Sequence, residues 1–122
     1  MKIAIPVNDK SMEAGVCDSF GRTPYYLIYD TESKESIFLD NSAVASQGGA
    51  GIKAAQTVVD NKVNALLTPR CGENAAEVIR AANIQLYKTI NDSIKDNIDA
   101  LNEGKLSFLV DIHPGFHGHG GK

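Results

Sequence analysis

From about residue 50 onward the chain alternates between helical and strand-like hydrophobic periods, and no other feature narrows its fold as much. Ile52, Ala55 and Val59 fall at i, i+3 and i+7 and predict a helix over about Gly51–Asn61. Val63–Leu67 then reads as a buried strand, about Glu73–Ala82 as a helix with Ala75, Ile79 and Ala82 on one face, and Ile84–Tyr87 as a further strand. In the third helix Thr89 and Asp92 resemble a capping box, Ile90, Ile94, Ile98 and Leu101 form one stripe, and Gly104 closes the C-terminus. Strands and helices in such alternation call for right-handed parallel crossovers, hence an α/β sheet.

The first 40 residues add three strands. Lys2–Val7 is apolar on both faces, as a central covered strand must be. Tyr25–Asp30 and Ser36–Asp40 flank a hairpin turn at Thr31-Glu32-Ser33-Lys34, so the second strand runs antiparallel to the third. The order β-β-β-α-β-α-β-α is met most simply by a three-layer α/β/α sandwich with a mixed sheet. Leu106–Ile112 is apolar enough for a sixth strand or for a segment that packs on a partner. His113–Lys122 has no apolar period and reads as a glycine- and histidine-rich tail.

At 122 residues the chain is one domain, able to bury roughly two-thirds of its unfolded surface. A net charge of −3, with no basic stripe and no Trp, argues against nucleic-acid binding. No run approaches membrane-spanning length, and Met1–Pro6 is too short and too soon polar for a signal peptide. Free thiols at Cys17 and Cys71 are then the default, and the cytoplasm is the expected compartment.

This topology says where function should lie. If strands one, three, four and five are parallel, their carboxyl ends share one edge, where open α/β sheets bind ligands. That edge collects the loop Asn8–Pro24, with Cys17 and Arg22, the turn Asn41–Gly51, and the turn Thr68–Asn74, with Arg70 and Cys71. Gly48, Gly49 and Gly51 precede a helix, where backbone N–H groups and the helix dipole favour an anion; the alternative is a turn that simply needs positive φ. Gly72 and Asn74 have the same two readings, ligand-binding or turn-forming. Each cysteine is either an inert buried hydrophobe or a ligand. For Cys71, a helix N-terminus and Arg70 predict easier ionisation, suited to metal ligation or nucleophilic chemistry. His113, His117 and His119 on a glycine tether suit a divalent metal such as Zn, Ni or Cu, or form an accessory tail that binds metal adventitiously. A parallel sixth strand would bring that tail to the same edge.

Several motifs now resemble a known family: Met1-Lys2-Ile3-Ala4-Ile5-Pro6; Phe20-Gly21-Arg22 followed by Tyr25-Tyr26; Asn41 ahead of Gly48-Gly49-Ala50-Gly51-Ile52; Gly72-Glu73-Asn74-Ala75; and Ile94 to Leu106 with Gly104. Their order and spacing resemble the dinitrogenase iron–molybdenum cofactor biosynthesis family, the NifX/NifB-type domain, in its small stand-alone form. The resemblance spans residues 1–106, leaving 107–122 as a C-terminal segment. It implies a ribonuclease-H-like fold with sheet order 3-2-1-4-5 and strand two antiparallel. It also implies non-catalytic binding or carriage of iron–molybdenum cofactor or its precursors, with orange-protein-type members holding other molybdenum-containing clusters. Cys71 stands in a turn that is glycine-rich in many members, and the resemblance assigns no metal ligand. Glycine- and histidine-rich tails recur in the family.

The leading expectation is therefore a non-enzymatic protein that accepts an anionic metal–sulfur cluster or a metal ion. Cys17 and Cys71 would ligate, Arg22 and Arg70 would offset charge, and helix N-termini would donate hydrogen bonds. Cluster-assembly proteins are the expected partners, and the chain is expected to be a monomer or a weak homodimer. Two other readings are a regulatory or interaction module with incidental metal binding, and a cysteine-dependent enzyme. The second lacks a base near either thiol in sequence, since the histidines all lie in the tail.

Overall fold

A computed structural model of the protein describes residues 1–42, 48–110 and 112, and among these described residues five strands and three helices are defined. The strands are β1 (Lys2–Val7), β2 (Tyr25–Asp30), β3 (Ser36–Asp40), β4 (Ala65–Thr68) and β5 (Gln85–Lys88). The helices are α1 (Ala50–Asp60), α2 (Glu73–Ala81) and α3 (Ile94–Asn102). The sheet order is β3-β2-β1-β4-β5; β2 is antiparallel to both neighbours, and β1, β4 and β5 are mutually parallel. This is the mixed α/β sheet that the alternation and the resemblance called for.

Period-two alternation along each strand separates two cores. Ala4, Tyr26, Ile28, Leu66 and Leu86 face Ala54, Ala55 and Val58 of α1 and Ala75, Ala76 and Ile79 of α2. Ile3, Ile5, Val7, Leu27, Ala65 and Leu67 face Ile94 and Ile98 of α3. Hence β1 is buried on both faces, and its continuous apolar run is the mark of a central strand. No helix among the described residues is long and apolar enough to cross a membrane.

Several local expectations are corrected. β4 and β5 each start and end one or two residues later than the apolar runs suggest, because Thr68 and Lys88 still pair in the ladder. Ile52 and Ile90 are exposed, and Ala82 lies past the end of α2, so the buried stripes are carried largely by the alanines and by Ile79, Ile94 and Ile98. The cap of α3 is Ser93, whose side chain accepts from Asp96 N, not Thr89 with Asp92. Asn97 explains the later start. It is fully buried, accepts from Ile90 N at 2.8 Å, and donates to the carbonyls of Asn91 (2.9 Å) and Ser93 (2.7 Å), holding 90–93 as a turn. Gly104 closes the helix at φ 71, as expected.

Among the described residues of Leu106–Ile112 there is no parallel strand. The segment makes one antiparallel bridge, Phe108 to Tyr87, with Lys88 N bonded to Ser107 O and Leu109 N to Leu86 O. The chain therefore runs back along β5, away from the carboxyl edge. The expectation of a tail emerging beside the cysteines loses its basis, and His113, His117 and His119 themselves lie outside the described residues.

Candidate functional site

The carboxyl ends of β1, β3 and β4 lead into three connections that enclose one cleft of about 710 Å³. The first connection supplies Asp18, Ser19, Phe20, Gly21 and Arg22. It is held from below by Thr23, fully buried, whose hydroxyl lies 2.9 Å from the Val7 carbonyl and 3.0 Å from that of Tyr25. Asn41, also buried, donates its side-chain amide to the carbonyls of Thr23 (2.9 Å) and Gly21 (3.2 Å). Tyr26 donates its buried hydroxyl to the Phe20 carbonyl, and the two rings pack 5.3 Å apart. Burial, with smaller contributions from Cys71 and Cys17, pushes that phenol well above the usual tyrosine range.

The second connection brings Gly48, Gly49 and the first turn of α1 to the cleft. Gly49 sits at φ 72 as the N-cap, a left-handed conformation that glycine adopts without penalty. The third brings Arg70, Cys71, Gly72 and the first turn of α2, its course set by the Thr68 hydroxyl, which donates to the Arg70 carbonyl at 3.0 Å.

Both helices begin without a side-chain cap, since Gly49 and Gly72 have no side chain to supply one. The first intrahelical bonds are Lys53 N to Gly49 O and Ala76 N to Gly72 O, so the N–H groups before them precede the helical ladder. Those first turns border the cleft, giving it the positive ends of two helix dipoles beside Arg22 and Arg70. Asp18 sets one carboxylate against them at the rim, and Phe20, Ile52, Ala75 and Cys71 supply apolar wall. By contrast α3, capped by Ser93, contributes nothing to this cleft.

Arg22, Gly48, Gly49, Gly51, Arg70, Gly72, Asn74 and Cys71 thus come together from three separate connections. Cys17 does not line the cleft; its N–H bonds to Pro6 O, and it is half-buried. Cys71 is 1% exposed, and burial pushes its thiol up to about 11, with Arg80 opposing more weakly. The easier ionisation expected from the helix N-terminus is therefore reversed, because desolvation of the thiolate outweighs the nearby positive charge. Among the described residues no three of His, Cys, Asp and Glu gather as a metal-ligating group. The sequence reading missed Phe20, Ile52 and Ala75 as walls, since nothing marks an apolar residue as cleft-facing before the loops are placed.

Fold and site define a small α/β domain with a donor-rich cleft at the carboxyl edge of its sheet. The chain belongs to the dinitrogenase iron–molybdenum cofactor family, whose pattern matches residues 1–104. It is 33% identical to a NifB-type candidate from Thermotoga, whose solution structure superposes with a TM-score of 0.80 over 93% of this chain and 97% of that one. The apo form of the orange protein from Desulfovibrio gigas superposes with a TM-score of 0.84 at 23% identity, covering 89% of this chain and 92% of that one, a likeness of fold. An uncharacterized protein of Methanocaldococcus jannaschii is 29% identical over 109 residues, 87% of this chain and 89% of that protein.

Proposed function

We propose that the protein binds and carries an anionic metal–sulfur cluster, of the iron–molybdenum-cofactor type or a precursor, without catalysing a reaction on it. The observation that carries this reading is the meeting of two helix N-termini, neither capped by a side chain, with Arg22 and Arg70 in one cleft. N–H groups and guanidinium groups hold an anion through its outer sulfur or oxygen atoms. Membership of the family supports metal–sulfur cargo over other anions. The apolar wall suits a large, weakly hydrated ligand.

In this reading Arg22, Arg70, Asn74 and the backbone at Gly48, Gly49, Gly51 and Gly72 form the binding surface. Cys71 borders the cargo as a protonated thiol that becomes a ligand only if metal displaces its proton. Cys17, outside the cleft lining, is a reserve ligand. Cluster-assembly proteins would deliver and collect the cargo, in the cytoplasm, where free thiols persist. His113, His117 and His119 would hold a divalent metal independently.

The test is titration of the purified chain with tetrathiomolybdate, iron plus sulfide, molybdate, copper and zinc, read by UV–visible absorption and metal analysis. Tight binding of a sulfur-containing anion, weakened at least about tenfold in R22A/R70A and by raised salt, is expected. Binding unchanged in R22A/R70A but lost when residues 113–122 are removed would move the site to the tail. Turnover of the bound species would end the carrier reading.

A further inference from the structure

The two edges of the sheet differ. The β5 edge is covered by the chain itself, through the bonds of Lys88 and Leu86 to Ser107 and Leu109. The β3 edge has no such cover: among the described residues only β2 pairs with β3.

The ladder fixes which groups of β3 point outward. Asp30 N bonds to Glu35 O and Asn41 N to Pro24 O. With the β2–β3 register this makes Glu35, Ile37, Leu39 and Asn41 the residues bonded toward β2. The N–H and C=O groups of Ser36, Phe38 and Asp40 therefore face away from the sheet. Ile37 is 53% exposed, although it lies opposite Ile28 on the face covered by α1 and α2. At one end of this strand stands Lys34, exposed, and at the other Asp40, exposed, with its carboxylate accepting from Ser42 N at 2.8 Å.

We propose that this edge joins a second copy of the chain, β3 to β3, antiparallel about a two-fold axis at Ile37. The strand is self-complementary in that register. Ser36 pairs by hydrogen bonds with Phe38 of the partner subunit, and Phe38 with Ser36 of the partner subunit. Ile37 meets Ile37 of the partner subunit in a non-hydrogen-bonded pair, where side chains come closest. Lys34, which leaves the extended conformation at φ 64, offers its ammonium to Asp40 of the partner subunit, twice by symmetry. The dimer is a continuous ten-stranded sheet, and the interface is small, so association is weak and reversible.

Sedimentation velocity of the full chain from about 10 µM to about 1 mM tests this. Wild type is expected to shift from monomer to dimer across that range. I37K, K34D and D40K are each expected to raise the dissociation constant at least about tenfold, since each removes a cross-strand pair or sets like charges opposite. The charge swap K34D/D40K is expected to recover the dimer, a result that mere loss of fold cannot give; circular dichroism confirms that each variant is folded. A wild type that stays monomeric at 1 mM, a dimer indifferent to I37K, or a swap that fails to recover would each overturn the proposal.

Discussion

A side-chain carbon on Gly21 would stand 2.9 Å from the Cα of Gly51 and 3.0 Å from its nitrogen, so the Phe20–Arg22 loop and the first turn of α1 meet backbone to backbone. This contact sets the width of the cleft, because it locks the loop carrying Arg22 to a helix N-terminus. G21A has to push one backbone off the other, since neither can rotate away as a side chain would. It is expected to cost about 1–3 kcal/mol and to weaken cargo binding. Urea unfolding and ligand titration of the same variant check both, and an unchanged midpoint would contradict the contact.

Asn41 is predicted to be a positioning residue. Its amide is the buried donor to the carbonyls of Gly21 and Thr23. N41L leaves those acceptors without it and should cost about 1–3 kcal/mol in urea denaturation. Weaker anion binding at temperatures where the variant is still folded would follow from a loosened loop.

The Cys71 thiol provides a pH prediction. The folded protein holds this proton up to about 11, above the thiol's ordinary value of 9.0. Its contribution to stability is therefore complete below pH 9 and is lost as pH rises from 9 through about 11, because only the unfolded chain gives up the proton readily there. Thermal melting of wild type should fall across that window more than that of C71A. The raised Tyr26 phenol acts in the same direction from about pH 10 upward, in wild type and C71A alike, so the difference between the two melts isolates Cys71. Near neutral pH a thiol reagent should modify Cys17 well before Cys71.

Ser93 provides a stability control away from the cleft. S93A removes the bond accepted from Asp96 N at 3.1 Å and should cost about 1 kcal/mol. Cargo affinity should not change, because α3 does not reach the site. T89A, aimed at the residue that resembles the cap in sequence, should leave the α3 N-terminus intact, which amide exchange at Asp96 and Asn97 would show.

The fold was largely legible because its determinants are local. Lys2–Val7 is apolar on every face, the turn at Thr31–Lys34 joins two strands, and helix and strand alternate after residue 50. The errors share a cause. Thr89-Ile90-Asn91-Asp92 looks like the start of a helix, yet Asn97, seven residues after Ile90, holds that stretch as a turn from inside the core. Leu106–Ile112 looks like a strand, yet it makes a single bridge to the outer strand β5, where Tyr87 and Phe108 stack at 5.0 Å, and it is held by Leu109, whose side chain enters the core and whose carbonyl accepts from Arg80 at 3.3 Å.

By itself the sequence determined which residues reach the carboxyl edge, because strand direction follows from short turns and right-handed crossovers. That gathered Cys17, Arg22, Gly48, Gly49, Gly51, Arg70, Cys71, Gly72 and Asn74 at one edge before any distance was known. Only the tertiary structure decided what each of them can do there. It turned Cys17 out of the wall, buried Cys71 until its thiol became a weaker acid, and left two helix starts uncapped beside two arginines. Charge and desolvation depend on neighbours brought from far along the chain, and no local pattern records them.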